Sequence, residues 1–332
     1  MNKYTVAVLT GGQSGEREVS LASGSMVLDA LLSKGHRAYA VEITKQGLWW
    51  NRDHPFPENS TILESVANAL KPQPDIVFVA LHGPKGEDGT VQGLLEIAGI
   101  PYTGSGVLAS ALGMDKHRSR LIFKEHGLVV PPYILLEQED SIEEKLEQAK
   151  EKFGLPLVIK PNDSGSSLMV AISSSLEQLE SALEEILSIS SKALIEKYLP
   201  GKEITVPLIG NDPPQPLPVI EIIPPGLFFD YQSKYDGSTK EICPARIKEE
   251  VASKAQEIAV VAFQALGCRG FARADMIYFE EEIYLLEINT IPGLTKESLL
   301  PKSARVAGFE FSDLVEKIVE LGLISWNSKN DT

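Results

Sequence analysis

Residues 4–43 carry the pattern that most narrows the choice of fold. YTVAVLT (4–10) is a short apolar run rich in strand formers, GGQSGE is a glycine loop, REVSLASGSMVLDALLSKG has apolar residues at helical spacing, and RAYAVEI returns to strand. Strand, crossover helix and strand make a βαβ unit, and such units build parallel sheets with helices on their faces. DIVFVALHG and GIPYTG repeat strand-like runs around the helical TVQGLLEIAG, so residues 1–103 are expected to form a parallel sheet flanked by helices.

The texture changes after that. GVLASALGMDKHRSRLIFKEHG is expected as one long helix, and VVPPYILLE as a linker, since proline fixes φ and biases its predecessor toward extended backbone. A charged amphipathic helix (141–153), the strand LPLVIK, the loop PNDSGSS, the strand LMVAIS, a helix (176–189) and the strand ALIEKYL then suggest an α+β unit over 104–198. Residues 199–332 offer extended EITVPLI and PLPVIEII, a polar loop DYQSKYDGSTKE, a helix over 249–266, the hairpin ADMIYFEEEIYLLEIN and a last helix near 312–322. A chain of 332 residues suits two or three domains of roughly 100 to 200 residues.

A formal charge of -15 argues against nonspecific nucleic-acid binding, which needs clustered Lys and Arg to neutralise phosphates. A small anionic ligand stays open, and it would have to be met by basic residues gathered locally. No segment approaches the roughly 18 consecutive apolar residues of a membrane span. Cys243 and Cys268 stand apart from each other and from any His cluster, which argues against a disulfide framework or structural zinc. No secretory signal pattern is visible, and a cytoplasmic chain is expected.

If the polar EEE (280–282) turns the hairpin about Glu281, antiparallel pairing sets Asp275 opposite Glu287 and Arg273 opposite Asn289. Residues two apart share a strand face, so all four side chains project together. A solvated edge face is one use of that pattern. Another is a cation site, because Asp, Glu and Asn supply the hard oxygens that Mg²⁺ prefers, with substrate phosphates and water completing its sphere. Arg273 beside them suits a phosphoryl group or a developing oxyanion.

Lys160 closes an apolar strand and the loop PNDSGSS follows, an arrangement that can close backbone N–H groups on phosphate oxygens or form a plain hairpin turn. A strand follows, so this is no Walker A loop, which opens a helix. GGQSGE lacks the dinucleotide-binding GxGxxG spacing, yet Glu16 sits where a helix begins and could serve as a first-turn acid or receive a ligand ammonium group. His82 lies in the glycine-rich loop LHGPKGEDGT after a strand, where a structural role is the ordinary one. LIEKYLPGKE leads from strand to linker and offers backbone groups to a purine edge, with Glu203 in reach of ribose hydroxyls; Lys116 in GMDKHRS is otherwise only a helix lysine.

In their order along nearly the whole chain, GGQSGEREVSLASG, LHGPKGEDGT, GMDKHRSR, VIKPNDSGSS, LIEKYLPGKE, DYQSKYDGST, GFARADM and LLEINTIPGLTKESLLPKSAR resemble the D-alanine–D-alanine ligases of the ATP-grasp superfamily. The resemblance implies an α/β and α+β molecule with an ATP-grasp fold. A Rossmann-like N-terminal domain (1–103) precedes a central (104–198) and a C-terminal (199–332) ATP-grasp domain, the last carrying the metal site, and ATP is enclosed between those two. It implies that Lys116 and Lys160 bind ATP phosphates, that Glu196, Lys197, Leu199 and Glu203 hold the adenosine, and that Asp275, Glu287 and Asn289 bind two Mg²⁺ ions, with Mn²⁺ as a substitute.

By the same matching, a D-alanyl phosphate forms and the amine of a second D-alanine attacks it, giving D-alanyl-D-alanine for peptidoglycan precursors. Arg273 and the Gly293 N–H are the implied oxyanion donors, and Glu16, aligned with Ser166 and Tyr235, receives the first ammonium group. His82 belongs to the amino-acid site, Ser298 and the backbone of Leu299 bind the second carboxylate, and Lys234 reaches the phosphate from a covering loop. A homodimer is implied as well. Two positions depart from the family pattern: Met169 stands where the glycine loop usually has a second glycine, and the covering loop KYDGSTKE is slightly short. Tyr235 accompanies a D-amino acid acceptor in this family, so D-alanine is the expected second substrate.

Overall fold

The computed structural model describes residues 3–164, 169–224 and 239–330. The opening unit forms as its periodicity predicts. β1 (Thr5–Gly11), α1 (Arg17–Ser33), β2 (Arg37–Ile43), β3 (Trp49–Trp50), α2 (Ile62–Ala69), β4 (Ile76–Val79) and α3 (Thr90–Ile97) follow in order, and the sheet runs β3-β2-β1-β4. β1 pairs in parallel with β2 and with β4, and only the edge strand β3 is antiparallel. Val6 to Leu9 and all of β4 are buried, the continuous apolar strands expected of a sheet covered on both faces. GIPYTG contributes only a single parallel bridge, Val77 to Tyr102, because Pro101 lacks an N–H and the chain turns away at Gly104 (φ +85).

The expected long helix is two. α4 (Val107–Met114) stops at Asp115, whose extended backbone (φ -86, ψ 98) breaks the helix and whose side chain accepts from the Arg118 N–H to start α5 (Lys116–Glu125). Asp is a strong N-cap, worth about 1 kcal/mol, so the break is locally stabilised. It also turns Lys116 into the first residue of a new helix.

β5 (Tyr133–Glu137), α6 (Ile142–Phe153), β6 (Leu157–Pro161), β7 (Ala171–Ser173), α7 (Leu176–Leu187) and β8 (Lys192–Lys197) make an antiparallel sheet of order β5-β8-β6-β7. Leu146, Ala149, Leu179, Leu183 and Ile186 from its two helices meet Leu136, Leu157, Ile159 and Ile195 in one core. The other sheet face, with Lys160 and Glu196, is left for the cleft.

A third sheet is built from β9 (Lys202–Ile209), β10 (Gln215–Pro216), β11 (Ile220–Ile223), β12 (Lys240–Ile242), β13 (Phe271–Phe279) and β14 (Glu282–Asn289). Its order is β12-β11-β9-β13-β14, with β10 on β9. α8 (Glu249–Ala265) covers one face through Ala255, Ala259, Ala262 and Phe263, which recur at helical spacing. Arg273 pairs with Asn289 and Asp275 with Glu287, the register expected from sequence. The turn is shorter than expected, however: Glu280 and Glu281 alone connect Phe279 to Glu282, both at positive φ, and a bulge after Asp275 makes up the difference by leaving Leu286 as an extra residue.

α9 (Leu299–Val306) and α10 (Phe311–Asn330) close the chain. Although α10 follows the third sheet in sequence, Leu314, Val315, Ile318 and Val319 are buried in the core of the first. Gly322 permits this return, since a Cβ there would lie 2.8 Å from Ile76 and 3.0 Å from the Tyr102 carbonyl oxygen. The last helix therefore covers an apolar face of the first sheet while it stays tied to the segment 199–332, where Asn211 Nδ2 donates to the Leu321 carbonyl at 3.2 Å and Arg269 Nη1 to Ser325 Oγ at 3.0 Å. Among the described residues no helix is long and apolar enough to cross a membrane.

Candidate active site

Two cavities meet between the sheets. The larger, about 520 Å³, is walled by Val158 and Lys160 of β6, Glu196 and Lys197 of β8, the following Leu199, Glu203 of β9, Ile222 of β11 and Ile277 of β13. The smaller, about 110 Å³, is lined by Glu16, His82, Glu87, Asn289, Gly293, Ser298 and Leu299. Lys116, Ser164, Arg273 and Glu287 line both, so a ligand in one cavity faces a ligand in the other across these groups.

The hairpin face stands at that junction. Arg273 donates two parallel hydrogen bonds to Asp275, Nε to Oδ1 at 2.7 Å and Nη2 to Oδ2 at 2.6 Å, while Thr205 Oγ1 donates to Asp275 Oδ1 at 2.6 Å. Lys116 Nζ lies 3.1 Å from Glu287 Oε2, and Asn289 Oδ1 accepts from the Ile291 N–H at 2.9 Å. Each carboxylate is thus held by a cation of the protein itself. Two carboxylates and an amide oxygen fit a hard divalent cation that takes its remaining ligands from phosphate and water. Among the described residues no group of three or more acids, histidines or cysteines could hold a metal without such help.

Lys116 Nζ also donates to the Ser164 carbonyl at 2.6 Å, which ties the first turn of α5 to the loop after β6. Lys160 Nζ is 3.0 Å from Glu196 Oε2, and Arg120 Nη1 donates to Glu196 Oε1 at 2.6 Å. Burial opposes the charge on Glu196, but Arg120 and Lys160 hold its carboxyl below the ordinary value of 4.5. For Lys160, burial pushes the ammonium below its ordinary 10.5.

On the small-cavity side, Glu16 is 6% exposed and begins α1 without capping it through its side chain. His82 Nδ1 is 3.1 Å from the Ile291 carbonyl and its Nε2 is 3.2 Å from Ser23 Oγ, so the ring ties the first sheet to the turn after β14. Burial works against a charge on His82, but Glu87 and then Glu16 beside it hold its pKa above the ordinary 6.5. Gly293 lies so close to Ser298 that a Cβ would come within 2.7 Å of its Oγ. Ser298 occupies the N-cap position of α9 but turns its hydroxyl back to accept from the Thr295 N–H, leaving the helix start facing the cavity.

Known proteins are similar along nearly the whole chain. The family profile described as D-ala D-ala ligase N-terminus matches residues 5–105, and that described as D-ala D-ala ligase C-terminus matches residues 122–320. The chain belongs to the D-alanine–D-alanine ligase family. A D-alanine–D-alanine ligase of Syntrophobacter fumaroxidans is 44% identical over 324 residues, spanning 97% of this chain and 98% of the relative. A crystal structure of the Bacillus anthracis ligase complexed with ATP is 34% identical with a TM-score of 0.81, covering 99% of this chain and 100% of that one. The D-Ala:D-Ser ligase VanG of Enterococcus faecalis is 31% identical, also with a TM-score of 0.81, covering 97% and 100%. These neighbours give the ligase-family chain its ATP-grasp fold.

The structure brings Glu16, His82, Lys116, Lys160, Glu196, Lys197, Leu199, Glu203, Arg273, Asp275, Glu287, Asn289, Gly293, Ser298 and Leu299 of this family member to the two cavities. Ser166, Lys234 and Tyr235 lie outside the described residues. Met169, which departs from the family's glycine, takes a glycine-like φ of +59 and packs its side chain against the core of the second sheet. Sequence reasoning missed Arg120, Thr205, Glu221 and Glu87. Glu221 lines the larger cavity and holds Arg246 at 2.9 Å. For Arg120 a signal existed: it lies four residues after Lys116, on the same helix face.

Proposed function

We infer that this chain is an ATP-dependent ligase that joins two D-alanine molecules through a D-alanyl phosphate, supplying the dipeptide for peptidoglycan precursors. The observation that carries the reading is the junction, where one cavity of nucleotide size and one of amino-acid size share Lys116, Arg273 and Glu287.

In the proposed mechanism Glu196, Lys197, Leu199 and Glu203 hold adenosine while Lys116 and Lys160 hold phosphates, joined by Lys234. Asp275, Glu287 and Asn289 are the proposed ligands of two Mg²⁺ ions, or of Mn²⁺ in their place, which when bound neutralise charge on the transferring phosphoryl group. Glu16, aligned by Ser166 and Tyr235, takes the ammonium group of the first D-alanine and leaves its carboxylate at the junction. His82 fixes the turn carrying Gly293 from beneath. A carboxylate oxygen attacks the γ-phosphorus and the bond to ADP breaks.

The second D-alanine places its carboxylate at Ser298 and the Leu299 N–H, and its amine attacks the acyl carbon. Arg273 and the Gly293 N–H face the oxyanion that forms, and collapse of the tetrahedral intermediate breaks the carbon–oxygen bond to release phosphate. Removing one such donor typically costs about 10²- to 10³-fold in kcat. We further propose three structural units, 1–103, 104–198 and 199–332, and a cytoplasmic homodimer.

Purified protein given ATP, Mg²⁺ and D-alanine should release phosphate and form the dipeptide. Absence of D-alanine-dependent phosphate release would overturn the reading. The similarity to VanG makes D-serine the acceptor to offer in competition, with product masses deciding; a mixed D-alanyl-D-serine product in excess would revise the second substrate.

A further inference from the structure

Arg120 is completely buried, an unfavourable place for a charge unless it is paired and hydrogen-bonded in full. Its guanidinium lies 5.2 Å from the Tyr133 ring centroid and reaches two walls of the nucleotide cavity at once. Nη1 donates to Glu196 on β8 at 2.6 Å, while Nε and Nη2 both donate to the Leu286 carbonyl on β14 at 3.3 Å.

Leu286 is the extra residue of the bulge. Extra residues fall out of the ladder and need partners elsewhere. Here the partners come from one segment, since the neighbouring Leu285 N–H donates to the Val129 carbonyl at 2.9 Å. The bulge also decides which way Glu287 points. Continued without it, the pairing that starts at Phe279 and Glu282 would set Leu286 opposite Asp275 and Glu287 opposite Ala274, on the other face of the sheet.

We propose that Arg120 is a positioning residue that pins the bulge and the Glu196 carboxylate together, so that Glu287 faces the junction at a fixed spacing from the nucleotide wall. The proposal rests on the reading of Glu287 as a cation ligand and Glu196 as part of the adenosine site. A lysine at position 120 keeps the charge that Glu196 needs but lacks the planar fork whose Nε and Nη2 together hold the Leu286 carbonyl.

The test uses the full-length protein carrying Arg120→Lys, Arg120→Met or Glu287→Gln. ADP affinity is measured by calorimetry, and Mn²⁺ affinity in the presence of ADP by electron paramagnetic resonance. We expect Arg120→Met to weaken both by about tenfold or more, a shift of 1.4 kcal/mol per tenfold. Arg120→Lys should recover ADP affinity to within about threefold while Mn²⁺ binding stays weakened, a split that simple loss of stability does not produce. Native Mn²⁺ affinity in Arg120→Lys overturns the proposal. So does loss of fold in both Arg120 variants, which would make the residue a folding determinant only. Unchanged Mn²⁺ affinity in Glu287→Gln instead refutes the cation reading itself, whatever Arg120 does.

Discussion

β4 and the β13–β14 hairpin each close one end of a sheet, yet they spend their side chains differently. Every residue of β4 is buried in packing, and its pairing with β1 is regular. The hairpin gives alternate residues to the core beneath α8 and turns the others, Arg273, Asp275, Glu287 and Asn289 among them, toward the cleft. A strand used on both faces can only support. A strand used on one face can also present groups to a ligand, and here a bulge is what aims them.

The sharpest way to test that division is to strike each side separately. Glu287→Gln should lower Mg²⁺-dependent turnover by at least about 10²-fold, by analogy with other lost charge-stabilising groups, with the thermal midpoint nearly unchanged. A large drop in midpoint with turnover kept would reverse the assignment. Phe78→Ala on β4 should do the opposite, costing about 3–5 kcal/mol of stability in urea unfolding while the folded fraction keeps its ADP affinity. Next in size, Glu16→Gln should raise the D-alanine concentration needed for half-saturation, leaving ADP binding intact; an unaltered response to D-alanine removes Glu16 from the site.

A pH experiment separates the cleft from the core in another way. The folded-state pKa of Glu196 lies below its ordinary 4.5, so the stability it lends is present above that value and lost as pH falls through the lower folded one. Thermal midpoints of Glu196→Gln should therefore converge with those of the wild type in acid and separate from them near neutrality. Parallel curves would sink the linkage. The smallest effect is expected at Met169→Gly, where relief of positive φ, worth about 1–2 kcal/mol, opposes lost side-chain packing. The net change in midpoint should be slight.

Much of this was legible from residues alone. The βαβ opening followed from apolar periodicity, and the shared hairpin face from alternation. The bulge was hidden for a definite reason: a three-residue turn without a bulge and a two-residue turn with one give identical pairs beyond Asp275. The break at Asp115 was masked because residues on both sides keep helical spacing, although an Asp before a basic run is a cap signal. The partner of α10 could not be read, since an apolar stripe shows that a helix must be covered without showing by what. Arg120 had the same difficulty in reverse. A charged residue on an amphipathic helix reads as solvent-facing until the fold brings a carboxylate to it.

The pairs Arg273–Asp275 and Lys116–Glu287 make the junction a small ion exchanger. Two cations and two carboxylates cancel before any ligand arrives, so the cleft folds without a large uncompensated field. Under the proposed function an incoming polyphosphate would claim the cations, and a divalent ion arriving with it would claim the carboxylates. Either guest alone would strand the partners of the other, which predicts that calorimetric ADP affinity climbs steeply as Mg²⁺ is added and that Mg²⁺ without nucleotide binds weakly. Flat ADP affinity across the Mg²⁺ series would show that the exchange is not coupled.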